Sequence, residues 1–214
     1  MLKTLIILFV VIPSCSAVAQ LRYGMLAGVN LSKIKSTLLE TPTLGLGPHL
    51  GWYGEVPLAD KLDVTGAVIL SDKGFNNSGH EKVHFLYATL PVTLSYPVTK
   101  RLSVEAGAGA GYLIDVFAKG DDEYVSTIWS NRLDFEILCG ISLQLSDRIG
   151  ALIRYEYGLS NVIGKDAKIS YRAIYPDDPL IGTRPTLREE GNKDYNRNIQ
   201  FSVSYRFGTD GSAD

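Results

Sequence analysis

From position 21 onward, apolar and polar residues alternate with a period of two, in segments set apart by turn-forming clusters. A strand sends successive side chains to opposite faces, so this alternation marks a sheet with one apolar and one polar face. Eight such segments can be read. The first, 21–31, sets Tyr23, Met25, Ala27, Val29 and Leu31 against Arg22, Gly24, Gly28 and Asn30. The second, 46–58, sets Leu50, Trp52 and Val56 against His49, Tyr53 and Glu55. The third, 62–74, sets Leu62, Val64, Val68 and Leu70 against Asp63, Thr65 and Ser71. The fourth, 82–97, sets Leu86, Leu90, Val92, Leu94 and Tyr96 against Thr89, Thr93 and Ser95. The fifth, 101–117, carries Leu102, Val104, Ala106, Ala108, Ala110, Tyr112, Ile114 and Val116 on one face. Its other face holds Ser103, Glu105, Gly107, Gly109, Gly111 and Asp115. The sixth, 131–145, sets Leu133, Phe135, Ile137, Cys139 and Ile141 against Asp134, Glu136, Gly140, Ser142 and Gln144. The seventh, 148–159, sets Ile149, Ala151, Ile153, Tyr155 and Tyr157 against Arg154 and Glu156. The eighth, 198–207, sets Ile199, Phe201, Val203, Tyr205 and Phe207 against Gln200, Ser202, Ser204 and Arg206.

The connections alternate in length. Ala59-Asp60-Lys61, Val98-Thr99-Lys100 and Ser146-Asp147 are hairpin turns, whereas 32–45, 75–81, 118–130 and 160–197 are longer. Short turns at one end and long loops at the other are the plan of an outer-membrane barrel. The expected fold is all-β: an eight-stranded antiparallel up-and-down transmembrane β-barrel with short periplasmic turns and long extracellular loops. An even strand count brings both termini to the periplasmic side.

Alternation alone does not say which face points inward, since a soluble barrel turns its apolar face to its core. Three features favour a membrane barrel. The polar face combines small residues with charges of both signs, Arg22, Arg154 and Arg206 alongside Glu55, Glu105, Glu136 and Glu156. These seven are the candidate site, a charged network in the lumen. The apolar face carries no charge in any of the eight segments, as contact with lipid requires. Aromatic residues fall near segment ends, with Tyr23, Tyr96, Tyr205 and Phe207 at the periplasmic end and Phe75, Phe117, Phe135 and Tyr157 at the other. Eight strands enclose an interior that side chains can fill, so a plugged lumen is expected and not a wide pore.

The N-terminus sets the expected compartment. Lys3, an apolar run from Leu5 to Ile12, Pro13 and the small-x-small sequence Ala17-Val18-Ala19 form the pattern of a secretory signal. The expected domains are a removed signal at 1–19, the barrel at 20–207 and a short periplasmic tail at 208–214. Cys15 admits a lipoprotein signal instead, although Pro13 beside it fits such a site poorly. No later apolar stretch reaches the ~18 residues of a transmembrane helix.

Composition adds exclusions. The net charge of −2 gives no basic excess, so no nucleic-acid partner is expected. With Cys15 in the signal, Cys139 is the one remaining thiol, read as a small apolar residue facing lipid. The glycines of Gly107-Ala108-Gly109-Ala110-Gly111 share one strand face, which suits room in a lumen and not a nucleotide loop. The histidines are His49, His80 and His84; His80 and His84 flank a loop-to-strand boundary with Glu81 nearby, which admits a metal site but fits a solvated loop better. Ser71, Asp72 and His84 near the rim are the residues to test for a lipid-modifying activity. No catalytic residue, cofactor or metal is expected.

The order of short motifs resembles the PorT-like outer-membrane β-barrel domain, related in architecture to the OmpA and OmpX barrels. The carrying segments are 23–31 (YGMLAGVNL), 51–58 (GWYGEVPL), Ser71-Asp72-Lys73-Gly74, Leu90-Pro91-Val92, Glu105-Ala106-Gly107 and 154–159 (RYEYGL). They span nearly the whole mature chain. The family implies fold and location and brings no catalytic residues. Outer-membrane barrels tend to end in an alternating strand with a terminal aromatic, and 199–207 looks like that signal. Tyr205 and Phe207 would then be read by the barrel-assembly machinery. The tail at 208–214 departs from the pattern, because it leaves the aromatic short of the C-terminus. The partners so implied are outer-membrane lipid, the assembly machinery and an extracellular or secretion-system protein meeting the loops. A non-enzymatic interaction role leads; a narrow porin or secretion-associated barrel, and a soluble periplasmic lipid-binding barrel, are the alternatives.

Overall fold

A computed structural model describes residues 21–35, 43–76, 82–119, 127–128, 132–161, 168–169 and 195–207. The expected signal, the expected tail and most of the long connections lie outside the described residues. Eight long strands form the wall: β1 (Arg22–Lys35), β2 (Thr43–Ala59), β3 (Leu62–Asn76), β4 (Lys82–Pro97), β5 (Leu102–Lys119), β6 (Leu133–Gln144), β7 (Ile149–Gly158) and β8 (Tyr195–Phe207). They close into a barrel in which each strand pairs antiparallel with its sequence neighbours. β8 pairs with β1 in an unbroken register from Tyr23↔Phe207 to Lys35↔Tyr195. Closure leaves no strand edge without a partner, the condition for crossing a bilayer as a sheet.

The alternation has a direction. Leu50, Trp52, Val68, Leu90, Val92, Ile137, Ile153 and Val203 are all about half exposed, while Asn30, His49, Glu136, Arg154, Glu156 and Gln200 are buried. The apolar face therefore points out and the polar face in. An apolar surface that wraps the whole wall is far larger than a water-soluble monomer carries. This corrects the soluble-barrel alternative. Cys139 lies on the outer face. An arginine in place of Val203, midway along β8, should cost about 2–4 kcal/mol of unfolding free energy. The same change at Leu58, near the periplasmic end, should cost about 0–1 kcal/mol. Urea titration of both variants in lipid vesicles checks the difference.

Toward the loop end the pattern inverts. On β1, Lys33 and Lys35 are exposed while Ile34 is buried inside. On β4, Lys82 is exposed while Phe85 and Tyr87 are buried. Ile34, Phe85, Tyr87 and Leu113 form one cluster, with Val83 and Val116 packed against it. Here the wall stands clear of lipid, so water is outside and the apolar side chains turn in. The first, second and eighth strands accordingly run longer than the alternation suggested, because a reading tuned to apolar-out positions stops at the lipid edge.

One face assignment is corrected. The register between β4 and β5 shifts at Leu86/Tyr87, with Asp115 opposite Leu86 and Leu113 opposite Tyr87. Ile114 is the extra residue, and a bulge of one residue flips every position beyond it. Asp115 is consequently exposed and Val116 packs on the inner cluster, the reverse of the simple alternation.

Candidate functional site

The lumen is filled in layers. The apolar cluster forms a cap at the loop end. Beneath it β3 presents Lys73, in phase with Ser71 on the inner face. Its ammonium lies 2.8 Å from Glu136 Oε2 and 2.8 Å from Glu156 Oε2. The lysine and glutamate side chains are between 2% and 4% exposed, so bulk water does not screen them. Asn198 donates to Glu156 at 2.8 Å and to Asn30 at 3.1 Å, and Asn30 donates to Ser71 at 2.9 Å. Asn196 joins this layer to the cap, donating to Asp134 at 2.7 Å and to the Tyr87 hydroxyl at 3.3 Å.

The next layer toward the periplasm holds a second ion pair. Arg154 Nε donates to Glu105 Oε1 at 2.6 Å, with side-chain exposures of 3% and 5%. Glycines make these layers possible. A side chain at Gly109 would meet Glu136, and one at Gly140 would meet Glu105. At the periplasmic mouth Arg22 bridges Glu55 at 2.7 Å and Asp63 at 2.8 Å. Arg206 lies beside it, hydrogen-bonded to the Tyr53 hydroxyl. At the mouth, against the periplasmic turns, the lumen opens. A cavity of about 650 Å3 is lined by Arg22, Glu55, Asp63, Lys100, Arg101 and Arg206. The barrel is thus a cup, capped toward the loops and open toward the periplasm.

All seven charged residues singled out from the sequence face the lumen. They do not form one network: Glu136 and Glu156 share Lys73, Arg154 and Glu105 pair separately, and Arg22 and Glu55 meet at the mouth. The centre of the largest cluster, Lys73, was not among the seven. Its signal was present, since it continues the Asp63, Thr65, Ser71 face by one more step of two.

The rim residues Ser71, Asp72 and His84 do not assemble. Ser71 is buried in the lumen against Asn30, whereas His84 Nδ1 pairs with Asp72 Oδ2 at 2.9 Å on the opposite face. The wall separates the Ser71 hydroxyl from the His84 imidazole, so these three residues do not form a nucleophile-and-base arrangement. Among the described residues no group of three or more metal-binding side chains is found. On the outer face near the periplasm, Phe207 stacks on Trp52 at 5.6 Å and meets Tyr205 edge-on at 5.4 Å and Tyr23 at 6.0 Å. Beyond the other end of the wall, Thr127 and Ile128 pair with Ile169 and Lys168. This short ladder joins the β5–β6 connection to the β7–β8 connection.

A family model described as "Outer membrane protein beta-barrel domain" matches residues 16–164. No curated protein matches the sequence. Solved structures similar to the chain include the attachment invasion locus protein Ail of Yersinia pestis, at 13% identity and a TM-score of 0.47, covering 87% of this chain and 98% of Ail. Neisserial surface protein A is 12% identical, with a TM-score of 0.47 and coverage of 86% and 97%. The outer membrane protein OprG from Pseudomonas aeruginosa is 14% identical, with a TM-score of 0.41 and coverage of 88% and 95%.

Proposed function

Because the chain belongs to the outer membrane protein beta-barrel domain family, and is therefore an integral outer-membrane barrel, we propose that it acts through its extracellular loops as a non-enzymatic interaction protein. The observation that carries this reading is the capped lumen. Ile34, Phe85, Tyr87 and Leu113 close the barrel above two buried ion-pair layers. A lumen closed toward the loops leaves the outer ends of the strands as the surface that meets molecules on that side. The ladder between 127–128 and 168–169 supports the same reading, because it ties two of the long connections into a common platform.

The cap and ion pairs weigh against a narrow porin. A secretion-associated role, suggested by the resemblance to PorT-like barrels, is compatible with a loop platform that docks another protein. The segment 1–19 fits an export signal. Tyr205 and Phe207, set in the aromatic rung at the end of the last strand, fit a signal for the barrel-assembly machinery.

Excision of residues 162–194, with the ends rejoined by a short linker, tests the proposal. The shortened protein should remain in the outer membrane and keep the heat-dependent gel shift of a folded barrel. Crosslinking on intact cells should then lose the extracellular partners captured by the full chain. Unchanged capture would overturn the loop reading, and steady ion steps from the full chain in planar bilayers would favour a pore instead.

A further inference from the structure

The outer face of β8 and β1 changes character within one rung. From the aromatic rung Tyr23↔Phe207, the paired outward residues are Met25 with Tyr205, Ala27 with Val203, Val29 with Phe201 and Leu31 with Ile199. The next outward pair is Lys33 with Arg197. It lies ten residues along each strand from the aromatic rung, and a tilted strand crosses the hydrocarbon in about 9–11 residues. Lys33 and Arg197 therefore sit where the outer-leaflet headgroups begin, and Lys35, exposed, stands one rung above.

This pairing is electrostatically unfavourable as it stands. Like charges directly opposite across a ladder repel. Among the described residues no carboxylate lies on the outward face of β7, β8, β1 or β2. The outward carboxylates that are described, Asp72 and Asp115, are on β3 and β5, and Asp72 is held by His84. Neither Lys33 nor Lys35 has an ion-pair partner among the described residues. Arg197, by contrast, is built into place. Its Nη1 donates to the carbonyl oxygens of Gly158 at 3.0 Å and Asn196 at 2.7 Å, and its guanidinium lies 3.5 Å over the Tyr157 ring. Two carbonyls and an aromatic face fix one edge of the group and leave the charge facing the headgroup layer.

We propose that Lys33, Lys35 and Arg197 form a binding site for the phosphate of an outer-leaflet lipid headgroup, with the acyl chains lying along the Leu31, Ile199 and Phe201 band below. Phosphate supplies a counter-anion that no described residue provides, a guanidinium and two ammonium groups suit its oxygens, and the apolar band beneath selects a lipid over a soluble anion.

Native mass spectrometry of the full chain in detergent tests this, with phosphatidic acid as probe and diacylglycerol as its phosphate-free counterpart. The wild type should retain phosphatidic acid and release diacylglycerol. Each cation near an anionic headgroup contributes about a factor of five. The triple variant Lys33→Gln, Lys35→Gln, Arg197→Gln should thus bind roughly 100-fold more weakly. The double variant Lys33→Gln, Lys35→Gln leaves the Arg197 contacts intact and should lose roughly 25-fold, which decides the matter if the triple variant folds poorly. Lys61→Gln, at a periplasmic turn, should change nothing. Equal retention of the two lipids, or undiminished phosphatidic acid binding by the folded double variant, overturns the proposal. Displacement of phosphatidic acid by excess inorganic phosphate would overturn the lipid assignment in favour of a free-anion site.

Discussion

Replacement of Lys73 by methionine should destabilise the barrel by about 3–5 kcal/mol, the cost of stranding buried charge. The ammonium touches Glu136 and Glu156 at 2.8 Å each, and both carboxylates are almost wholly buried. Methionine has nearly the same length and shape, so packing is preserved while the cation in direct contact with both carboxylates is removed, and Arg154, engaged with Glu105, acts on them only through space. Asn198 still donates to Glu156, but a neutral amide replaces little of the lost charge. The two carboxylates would then have to take up protons, admit water or disrupt the layer. Rescue distinguishes this account from a packing defect. In the Lys73→Met background, Glu136→Gln together with Glu156→Gln removes the stranded charges and should recover most of the loss. Urea unfolding in detergent micelles, followed by the gel shift, measures both. A Lys73→Met barrel as stable as the wild type would show that the carboxylates never depended on the lysine. A triple variant no better than Lys73→Met would point to shape and not charge.

The cluster that makes this prediction was only half legible in the sequence. Glu136 and Glu156 could be placed inward because they alternate with strongly apolar neighbours such as Phe135, Ile137, Tyr155 and Tyr157. Lys73 stands where β3 nears the loop end, among Asp72 and Gly74, so alternation fades there and the residue has to be placed by counting from Ser71. The apolar part of the interior was hidden for a different reason. Leu26, Ile69 and Leu138 are buried inside, yet each sits in a run apolar on both faces, such as Val68-Ile69-Leu70. A period of two is invisible where both phases are apolar. The cap was hidden by its inversion: Ile34 between Lys33 and Lys35 reads as the end of a membrane strand, although the wall continues in water with its faces exchanged. The bulge at Ile114 left no mark at all, since Leu113-Ile114 is apolar in either phase. Strand identity and lipid-facing residues thus follow from local pattern. What fills the barrel depends on how eight strands converge, which no single segment records.

The same convergence makes a valine at Gly28 the most damaging single change expected at the seam. Gly28 faces inward on β1, between His49 on β2 and Ser202 on β8. A Cβ there would stand 1.8 Å from the carbonyl oxygen of Phe201 and 2.8 Å from the His49 ring. The imidazole could turn aside, but the carbonyl belongs to the β1–β8 ladder and can move only if the strands part. Overpacking a core whose side chains can shift costs about 1–3 kcal/mol. An obstacle of backbone should cost more, and it falls on the pairing that closes the barrel. Gly24, two inward positions nearer the periplasm, meets the carbonyl of Tyr205 in the same way at 2.1 Å, so the tight approach at the seam is not confined to one residue; Gly107 meets the carbonyl of Val92 at 2.1 Å elsewhere in the wall. In lipid an unclosed edge leaves a row of N–H and C=O groups without partners, so partial opening is not a refuge. Gly28→Val should therefore give little or no heat-shifted barrel on folding into vesicles. Gly66→Ala is the matched control: nothing lies within 4 Å of a Cβ there. It should fold as well as the wild type, within about 0.5 kcal/mol, as for other substitutions that touch no packed feature. A Gly28→Val protein that folds with normal yield would mean that β1 and β8 can separate at mid-wall without loss of the barrel. Close approach at the seam would then not be what requires glycine on the inner face of β1.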